Sequence, residues 1–302
     1  MISSFDGSGG ARLWAYWRRV ARQTRAHFTF FVSGVYLVDW AQRRRYVPPV
    51  GSPGDSAIGF APDAAWIDAM RRQIALGYRE GNEVGTHYNG HFCGAGGVGN
   101  WTARDWSEEL DEFDRLLFAK PLPFGPKEVV GGRTPCLEGN LAVLYPVLAR
   151  HGFRYDASRT ARLGTWPSRV DGIWSFPLLE LPFVGHTFRV VSMDFNFMAN
   201  QMGESPARIE NETYRTLWNA FVASYRGNRA PLSLGNHFET WESWAYDHAL
   251  TRFLLRACGL PEVRCRSFRE LADWLDAQSA RRLARDRAGR FPRAPKAFLN
   301  RS

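Results

Sequence analysis

Short apolar runs alternate along most of the chain with segments whose apolar residues recur at helical spacing. Residues 28–32 and 82–86 predict buried strands, and residues 12–25 and 63–80 predict helices. The further predicted strands are 1–6, 129–130, 153–156, 232–234 and 263–265, and the further predicted helices are 102–118, 141–151, 204–225, 247–258 and 267–278. Residues 166–197 are predicted to be mostly extended, with apolar segments around 176–181 and 189–193. This alternation indicates parallel βαβ units, and about seven of them favour a barrel over an open sheet.

Composition and charge limit the classes of protein to which the chain can belong. The 302 residues suffice for one large α/β domain, and 45% hydrophobic with 23% charged residues is ordinary for a globular protein. The net charge of +9 favours anionic partners. Much of the excess lies in residues 43–45 and 281–301, which we interpret as solvated loops and a tail. Because no zinc-finger or RNA-binding signature accompanies the charge, we expect no nucleic-acid partner. We expect a catalytic barrel over residues 1–280 and a basic tail over 281–302.

The four cysteines leave two interpretations open. None lies in a Cys-x-x-Cys pair, so a structural zinc site is not expected. Cys258 and Cys265 flank a short loop and would form a disulfide in an exported protein, whereas four buried thiols are the alternative. No stretch approaches the roughly 18 apolar residues of a membrane-spanning helix. No signal peptide is visible, although an export signal preceding Met1 is compatible with the position of the first motif.

Reactive side chains follow five of the predicted strands. In α/β barrels the catalytic groups lie at the carboxyl ends of strands. The polar residues at these positions are Asp6, His87 with His91, Arg133, Asp194 and His237. Each of these residues could instead have an ordinary role, such as capping a turn. A reactive group at the ends of five strands nevertheless favours a catalytic site.

The two histidines four residues apart suit one divalent cation, because zinc and similar ions accept neutral imidazole nitrogen. A catalytic metal needs a third protein ligand, and Asp6 is the only acidic residue at the end of the first strand. His237 is placed to act as a general acid, Asp194 to orient a neighbouring histidine, and Arg133 to hold a carboxylate in its ionised state.

In this order, the residues resemble the motifs of the polysaccharide deacetylase family, carbohydrate esterase family 4. Residues 81–91 (Gly-Asn-Glu-Val-Gly-Thr-His through His91) are the most specific match, to a family motif Gly-His-Glu-Ile-Gly-x-His-x-x-x-His. The weaker matches are 4–7 (Ser-Phe-Asp-Gly), 28–32 (Phe-Thr-Phe-Phe-Val), 133–136 (Arg-Thr-Pro-Cys), 155–158 (Tyr-Asp-Ala-Ser), 193–195 (Met-Asp-Phe) and 234–237 (Leu-Gly-Asn-His).

The resemblance implies a distorted (β/α) barrel of about seven parallel strands in one domain, and removal of N-acetyl groups from a chitin-like or peptidoglycan-like glycan. It implies a divalent metal, zinc first and cobalt, nickel or manganese as further options, held by His87, His91 and a carboxylate. It also implies an aspartate base, with His237 as the acid, Arg133 tuning the base and Asp194 behind the histidine. A secreted or cell-envelope location follows from such a substrate.

Two departures from the family pattern bear on this assignment. The family usually has two adjacent aspartates in the first motif, one as base and one as metal ligand, whereas here Gly7 follows Asp6. We favour Asp6 at the metal, because a site of two histidines is chemically poor. Cys136 replaces a tyrosine whose backbone helps to hold the oxyanion, a role that the substitution leaves possible.

Two alternatives to a metal-dependent deacetylase remain. One is a metal-free or non-sugar amidase on the same barrel, and the other is an inactive sugar-binding homologue. In a deacetylase or in a sugar-binding homologue, tryptophans could line the groove and stack on sugar rings. The alternative is that they pack in the core. The candidates are Trp101, Trp106, Trp166, Trp241 and Trp244.

Overall fold

The structure is a computed structural model and describes residues 1–291. The strands are β1 Ile2–Gly7, β2 Thr29–Val32, β3 Glu83–Thr86, β4 Gly131–Gly132, β5 Tyr155–Asp156, β6 Thr160–Arg162, β7 Ser168–Val170, β8 Ile173–Ser175, β9 Leu178–Pro182, β10 Arg189–Val191 and β11 Ser233–His237. The helices are α1 Ala11–Thr24, α2 Ala64–Arg79, α3 Ala103–Leu117, α4 Leu141–Arg150, α5 Asp194–Met198, α6 Pro206–Arg226, α7 Trp241–Ala257, α8 Phe268–Asp276 and α9 Ala280–Arg287.

The main sheet has eight strands in the order β11-β1-β2-β3-β4-β5-β8-β7. All neighbours pair in parallel except β7, which runs antiparallel to β8 at the edge. A second sheet, β10-β9-β6, adjoins β11 through a bridge between Met193 and Gly235. The sheet curls into a half-barrel within one domain, which confirms the predicted α/β barrel of about seven parallel strands.

Alternating side chains of the strands enter two apolar layers, as the period of two in a strand requires. Phe30 stacks on Trp14 of α1 with ring centroids 4.0 Å apart. Its neighbour Phe31 points to the opposite face and stacks on Phe268 at the start of α8. Both faces of the sheet are therefore covered, as is typical of parallel strands.

The strand register brings the predicted reactive positions to one edge. Asp6 of β1 lies opposite His237 of β11 and opposite Phe31 of β2. Thr86, which precedes His87, lies opposite Gly132, which precedes Arg133. The carboxyl ends of four strands therefore converge at the same end of the half-barrel.

Three segments differ from the predictions. Residues 263–265 form no strand, because they make only single hydrogen bonds, such as Arg266 N–H to the Met1 carbonyl, and no ladder. Residues 194–198, predicted extended, form α5. Residues 280–287 of the basic tail form α9, whose Leu283 is buried against α8, and residues 292–302 lie outside the described part. None of the helices within residues 1–291 has the length and apolar character needed to cross a bilayer.

Candidate active site

Asp6 and Arg133 form a buried ion pair at the centre of the strand ends. Arg133 Nη1 donates to Asp6 Oδ1 at 2.8 Å, and neither side chain is more than 2% exposed. Arg133 also donates to Ser4 Oγ and to the Ala157 carbonyl. Burial, the largest single effect, would raise the pKa of Asp6, but the charge and hydrogen bond of Arg133, together with the nearby His87 and His237, hold the pKa below the ordinary value. The pair therefore keeps the Asp6 carboxylate ionised.

His87 has the orientation typical of a metal-binding histidine. Its Nδ1 lies 2.8 Å from the Arg133 carbonyl oxygen, which can only accept, so Nδ1 carries the proton and Nε2 is left for a ligand. Burial lowers the pKa of His87 to about 3, so the ring is neutral at physiological pH. The ring of His91 lies 5.0 Å from that of His87, and burial lowers its pKa as well.

His237 is oriented by Asp194. The ring Nδ1 lies 2.6 Å from Asp194 Oδ1, and the His237 backbone N–H donates to Asp194 Oδ2 at 2.7 Å. Burial, the largest single effect, opposes protonation of His237, but the charge and hydrogen bond of Asp194, together with the Asp6 carboxylate, raise the pKa of the imidazole above its ordinary value. The pair thus favours a protonated imidazole, the form required of a general acid.

Two cavities, of about 340 Å³ and about 240 Å³, meet at these side chains. The residues common to both cavities are Asp6, His87, His91, Phe195 and His237. Tyr36, Trp66 and Trp241 line the larger cavity, whereas Cys136 and Leu137 line the smaller one. The reactive groups therefore lie at the junction of an aromatic lobe and a second lobe.

The predicted tryptophans divide between this site and the core. Trp241 lines the larger cavity, and its role in binding sugar stays a prediction. Trp101 and Trp106 are buried in a core cluster and contribute no groove surface, and neither Trp166 nor Trp244 lines the two cavities. The sequence analysis did not identify Trp66 of α2. A helical pattern does not show which residue of a helix lies beside the end of a strand that is distant in sequence.

Glu109 is a second residue that sequence reasoning missed. It is fully buried, accepts a 2.8 Å hydrogen bond from the Asn89 N–H, and lies within hydrogen-bond distance of Tyr46 Oη. Through Asn89 it supports the turn between His87 and His91. A charged residue on the apolar face of α3, beside Leu110, was the available signal, since buried carboxylates require partners.

All four cysteines are paired, so the alternative of free thiols is wrong. Cys258–Cys265 is the expected bridge, and Cys93–Cys136 was not anticipated. The second bridge joins the turn that follows His91 to the turn that follows Arg133. Residues 43 apart in sequence give no local sign of such a contact.

The imidazole and carboxylate groups of the site are suitable ligands for a divalent metal. The distances between their ligand atoms, however, support only part of the predicted ligand set. His87 Nε2 is available, and His91 and Asp6 face the same cavity. Within residues 1–291, however, Asp6, His87 and His91 do not form a set whose ligand atoms all lie within 4.8 Å of one another. One oxygen of Asp6 is also occupied by Arg133. Asp6 as the third ligand therefore stays a prediction that these distances do not support.

The structure resembles a solved structure of a candidate polysaccharide deacetylase from Mycobacterium smegmatis, with a TM-score of 0.56 and 17% identity over 88% of this chain and 77% of that one. The predicted resemblance to polysaccharide deacetylases is thus confirmed at the level of the fold. No protein-family model and no curated protein sequence matches the chain.

Two further structures are similar at the lower TM-score of 0.49. One is the family 4 esterase domain of a multidomain xylanase from the hindgut metagenome of Trinervitermes trinervoides, at 13% identity over 92% of this chain and 91% of that one. The other is a family 4 pseudoenzyme from Bacillus anthracis, at 11% identity over 90% of this chain and 64% of that one.

Proposed function

We propose that this protein is a hydrolase that removes N-acetyl groups from a polysaccharide or oligosaccharide. The observation that carries the proposal is the arrangement at the junction of the two cavities: an ionised Asp6 paired with Arg133 and a His237 paired with Asp194 lie opposite each other in the register of adjacent strands, beside two neutral imidazoles. Amide hydrolysis uses a base for the attacking water and an acid for the leaving nitrogen.

The cavity walls support a glycan substrate. Trp66, Trp241 and Tyr36 give the larger lobe flat apolar surfaces, on which the faces of sugar rings can stack. The smaller lobe is enclosed by Thr134, Leu137 and Met193 and suits a small acyl group such as acetyl. With a sugar ring in the larger lobe and an acetyl group in the smaller one, the acetamido carbonyl would lie at the junction, beside the reactive groups.

His87 and His91 would hold a divalent metal, with zinc as the first choice and cobalt, nickel or manganese as further options. When bound, such an ion would polarise the acetamide carbonyl and lower the pKa of water. Gly7 occupies the position of the second aspartate, so water or substrate oxygens would complete the coordination. We infer that Asp6 serves as the base, because Arg133 already occupies one of its two carboxylate oxygens.

In the proposed reaction Asp6 accepts a proton from the attacking water, and a carbon–oxygen bond forms at the carbonyl. Cys136 and Leu137 line the lobe in which the oxyanion would develop, and we propose the Cys136 backbone N–H as its donor, because the Leu137 N–H already donates to the Thr134 carbonyl. His237, protonated because Asp194 raises its pKa, donates a proton to the leaving nitrogen as the carbon–nitrogen bond breaks. Acetate and the free amine are the products.

The direct test is acetate release from N-acetylglucosamine oligomers by the purified protein, supplied in turn with zinc, cobalt, nickel or manganese. We expect release with at least one ion, and loss of release in His237→Ala and Asp6→Asn. Oligomers with N-propionyl groups are the matched probe for the small lobe, and we expect slower release of the larger acid. No release of acetate from any oligomer with any of the ions contradicts the proposal.

A sugar-binding protein without hydrolase activity is the second candidate. Gly7 favours it, because a glycine at the position of the second aspartate supplies no carboxylate ligand beside His87 and His91. Oligosaccharide binding that persists in Asp6→Asn, together with no acetate release by the wild type, would select this candidate.

A further inference from the structure

The Cys93–Cys136 disulfide forms part of the wall of the site. Cys93 lies two residues after His91, and Cys136 lines the smaller cavity. The Cα atoms of the two cysteines are 6.1 Å apart. Cys136 is exposed, so reductants can reach the bridge. Reduction or oxidation of this bridge would therefore change the wall around the reactive groups.

The sulfur atoms lie beside the imidazole of His91. Cys93 Sγ is 3.8 Å from His91 Nδ1. One ligand atom each from His91, Cys93 and Cys136 lies within 4.8 Å of the other two. Two ligands on one zinc ion are at most about 4.6 Å apart, given Zn–S bonds of about 2.3 Å. The three side chains are thus already near the spacing of a common metal site.

Both turns at the ends of the bridge have an unusual backbone. His91, Cys136 and Leu137 adopt φ values of 57°, 54° and 58°, a region that residues other than glycine rarely occupy. The disulfide links these two turns covalently. Once it is broken, each turn can relax separately, and the sulfurs can move apart to the spacing of two ligands on one ion.

We propose that reduction of Cys93–Cys136 creates a binding site for a thiophilic divalent cation, formed by the two thiolates and His91. Two thiolates and one imidazole leave a fourth position for water, and soft sulfur ligands favour zinc over magnesium or calcium. Reduction breaks the sulfur–sulfur bond with two electrons and two protons and yields two thiols, and metal binding then releases the thiol protons. The oxidised protein lacks both thiolates and leaves His91 to the main cavity.

The consequence for catalysis rests on the proposed function. If His91 serves the metal of the deacetylase site, its capture by the reduced cysteines removes one of the two imidazole ligands. The deacetylase site would then be complete only in the oxidised protein. Disulfides persist in oxidising compartments, so the site would be completed after export.

The test uses Co²⁺ as the probe, because thiolate ligands give it an intense charge-transfer absorption in the near ultraviolet. A Cys258→Ser/Cys265→Ser variant removes the other bridge, so that any thiolate signal belongs to Cys93 and Cys136. The variant is reduced with a trialkylphosphine, which takes oxygen from water to become the phosphine oxide. It is then freed of the phosphine by gel filtration and titrated with Co²⁺ without oxygen.

We expect the charge-transfer band to appear with one Co²⁺ per reduced chain and to be absent before reduction. The matched control, Cys93→Ser/Cys136→Ser, should give no band after the same treatment. His91→Ala in the Cys258→Ser/Cys265→Ser background should bind Co²⁺ more weakly. Absence of the band in folded protein with two free thiols, or an equal band in the control, overturns the proposal.

If the serine variants fail to fold, protection of the wild-type thiols replaces the titration. Zinc should slow alkylation of Cys93 and Cys136 after reduction and leave Cys258 and Cys265 unprotected, as read residue by residue by mass spectrometry. Equal alkylation of all four with and without zinc overturns the proposal. Neither measurement depends on acetate release, so a failed metal site and a failed deacetylase proposal give different results.

Discussion

Replacing Arg133 with methionine tests the ion pair on which the proposed base depends. Arg133→Met keeps much of the volume of the side chain but removes the positive charge beside Asp6. The two side chains are 0% and 2% exposed, so solvent compensates little for the lost charge at the position of Arg133. Removing one member of a buried pair costs about 3–5 kcal/mol, because it leaves an uncompensated charge. We expect a loss of this size in the free energy of unfolding at neutral pH.

The effect of Arg133→Met on stability should depend on pH in a definite direction. In the wild type, the folded-state pKa of Asp6 lies below its ordinary value of 3.8, so the stabilisation is present above about pH 4 and lost as pH falls through the folded pKa. Without Arg133, burial becomes the dominant cause and raises the pKa of Asp6 in the folded protein. The variant should then lose stability as pH rises above about 4, and its deficit relative to the wild type should grow.

Urea unfolding at several pH values between 4 and 8 measures this deficit. Asp6→Asn/Arg133→Met removes both charges and should lose less than half as much stability as Arg133→Met alone, a coupling that a double-mutant cycle isolates. Arg154→Met is the matched control, since the ion pairs of Arg154 with Asp273 and Asp276 are partly exposed and worth at most about 1 kcal/mol each. A deficit below about 1 kcal/mol for Arg133→Met, or one that shrinks as pH rises, would refute the reasoning.

Three further predictions concern the site. His87→Ala should abolish bound metal and acetate release, whereas His151→Ala, at the end of α4, should retain both by elemental analysis and assay. Gly7→Asp should tighten metal binding measured by calorimetry, because it adds a carboxylate to the larger cavity, and Gly7→Asn, with the same positive φ, should not. Asp194→Asn should lower the pKa of His237, so the alkaline loss of activity should move to lower pH, and an unchanged pH profile contradicts the assigned acid.

The local pattern of the sequence was sufficient for the elements that carry the site. Strands β1, β2, β3 and β11 and the helices after them follow from short apolar runs and helical periodicity. Helix α3 begins close to the predicted start at residue 102, because the capping box of Thr102 and Asp105 makes two hydrogen bonds between residues only three apart. The rule that reactive groups follow parallel strands then identified Asp6 and His237 as candidates without knowledge of the sheet order.

Residues 263–265 show where local pattern fails. Their composition suits a strand, yet a strand exists only where a partner offers a ladder of hydrogen bonds, and here the neighbouring segments offer single bonds. Leu283 shows the converse, since residues 280–287 have a composition typical of a solvated tail but form a helix that buries this leucine against α8. In both cases the outcome depends on which surface lies nearby.

The sequence by itself determined the alternating strands and helices, the spacing of His87 and His91, and the absence of a second aspartate after Asp6. Only the tertiary structure decided that Arg133 lies against Asp6, 127 residues away, and that Cys93 is bonded to Cys136 beside His91. The reason is physical. Periodicity and capping depend on neighbours within one turn or one strand, whereas ion pairs and disulfides depend on distances set by the packing of the whole sheet.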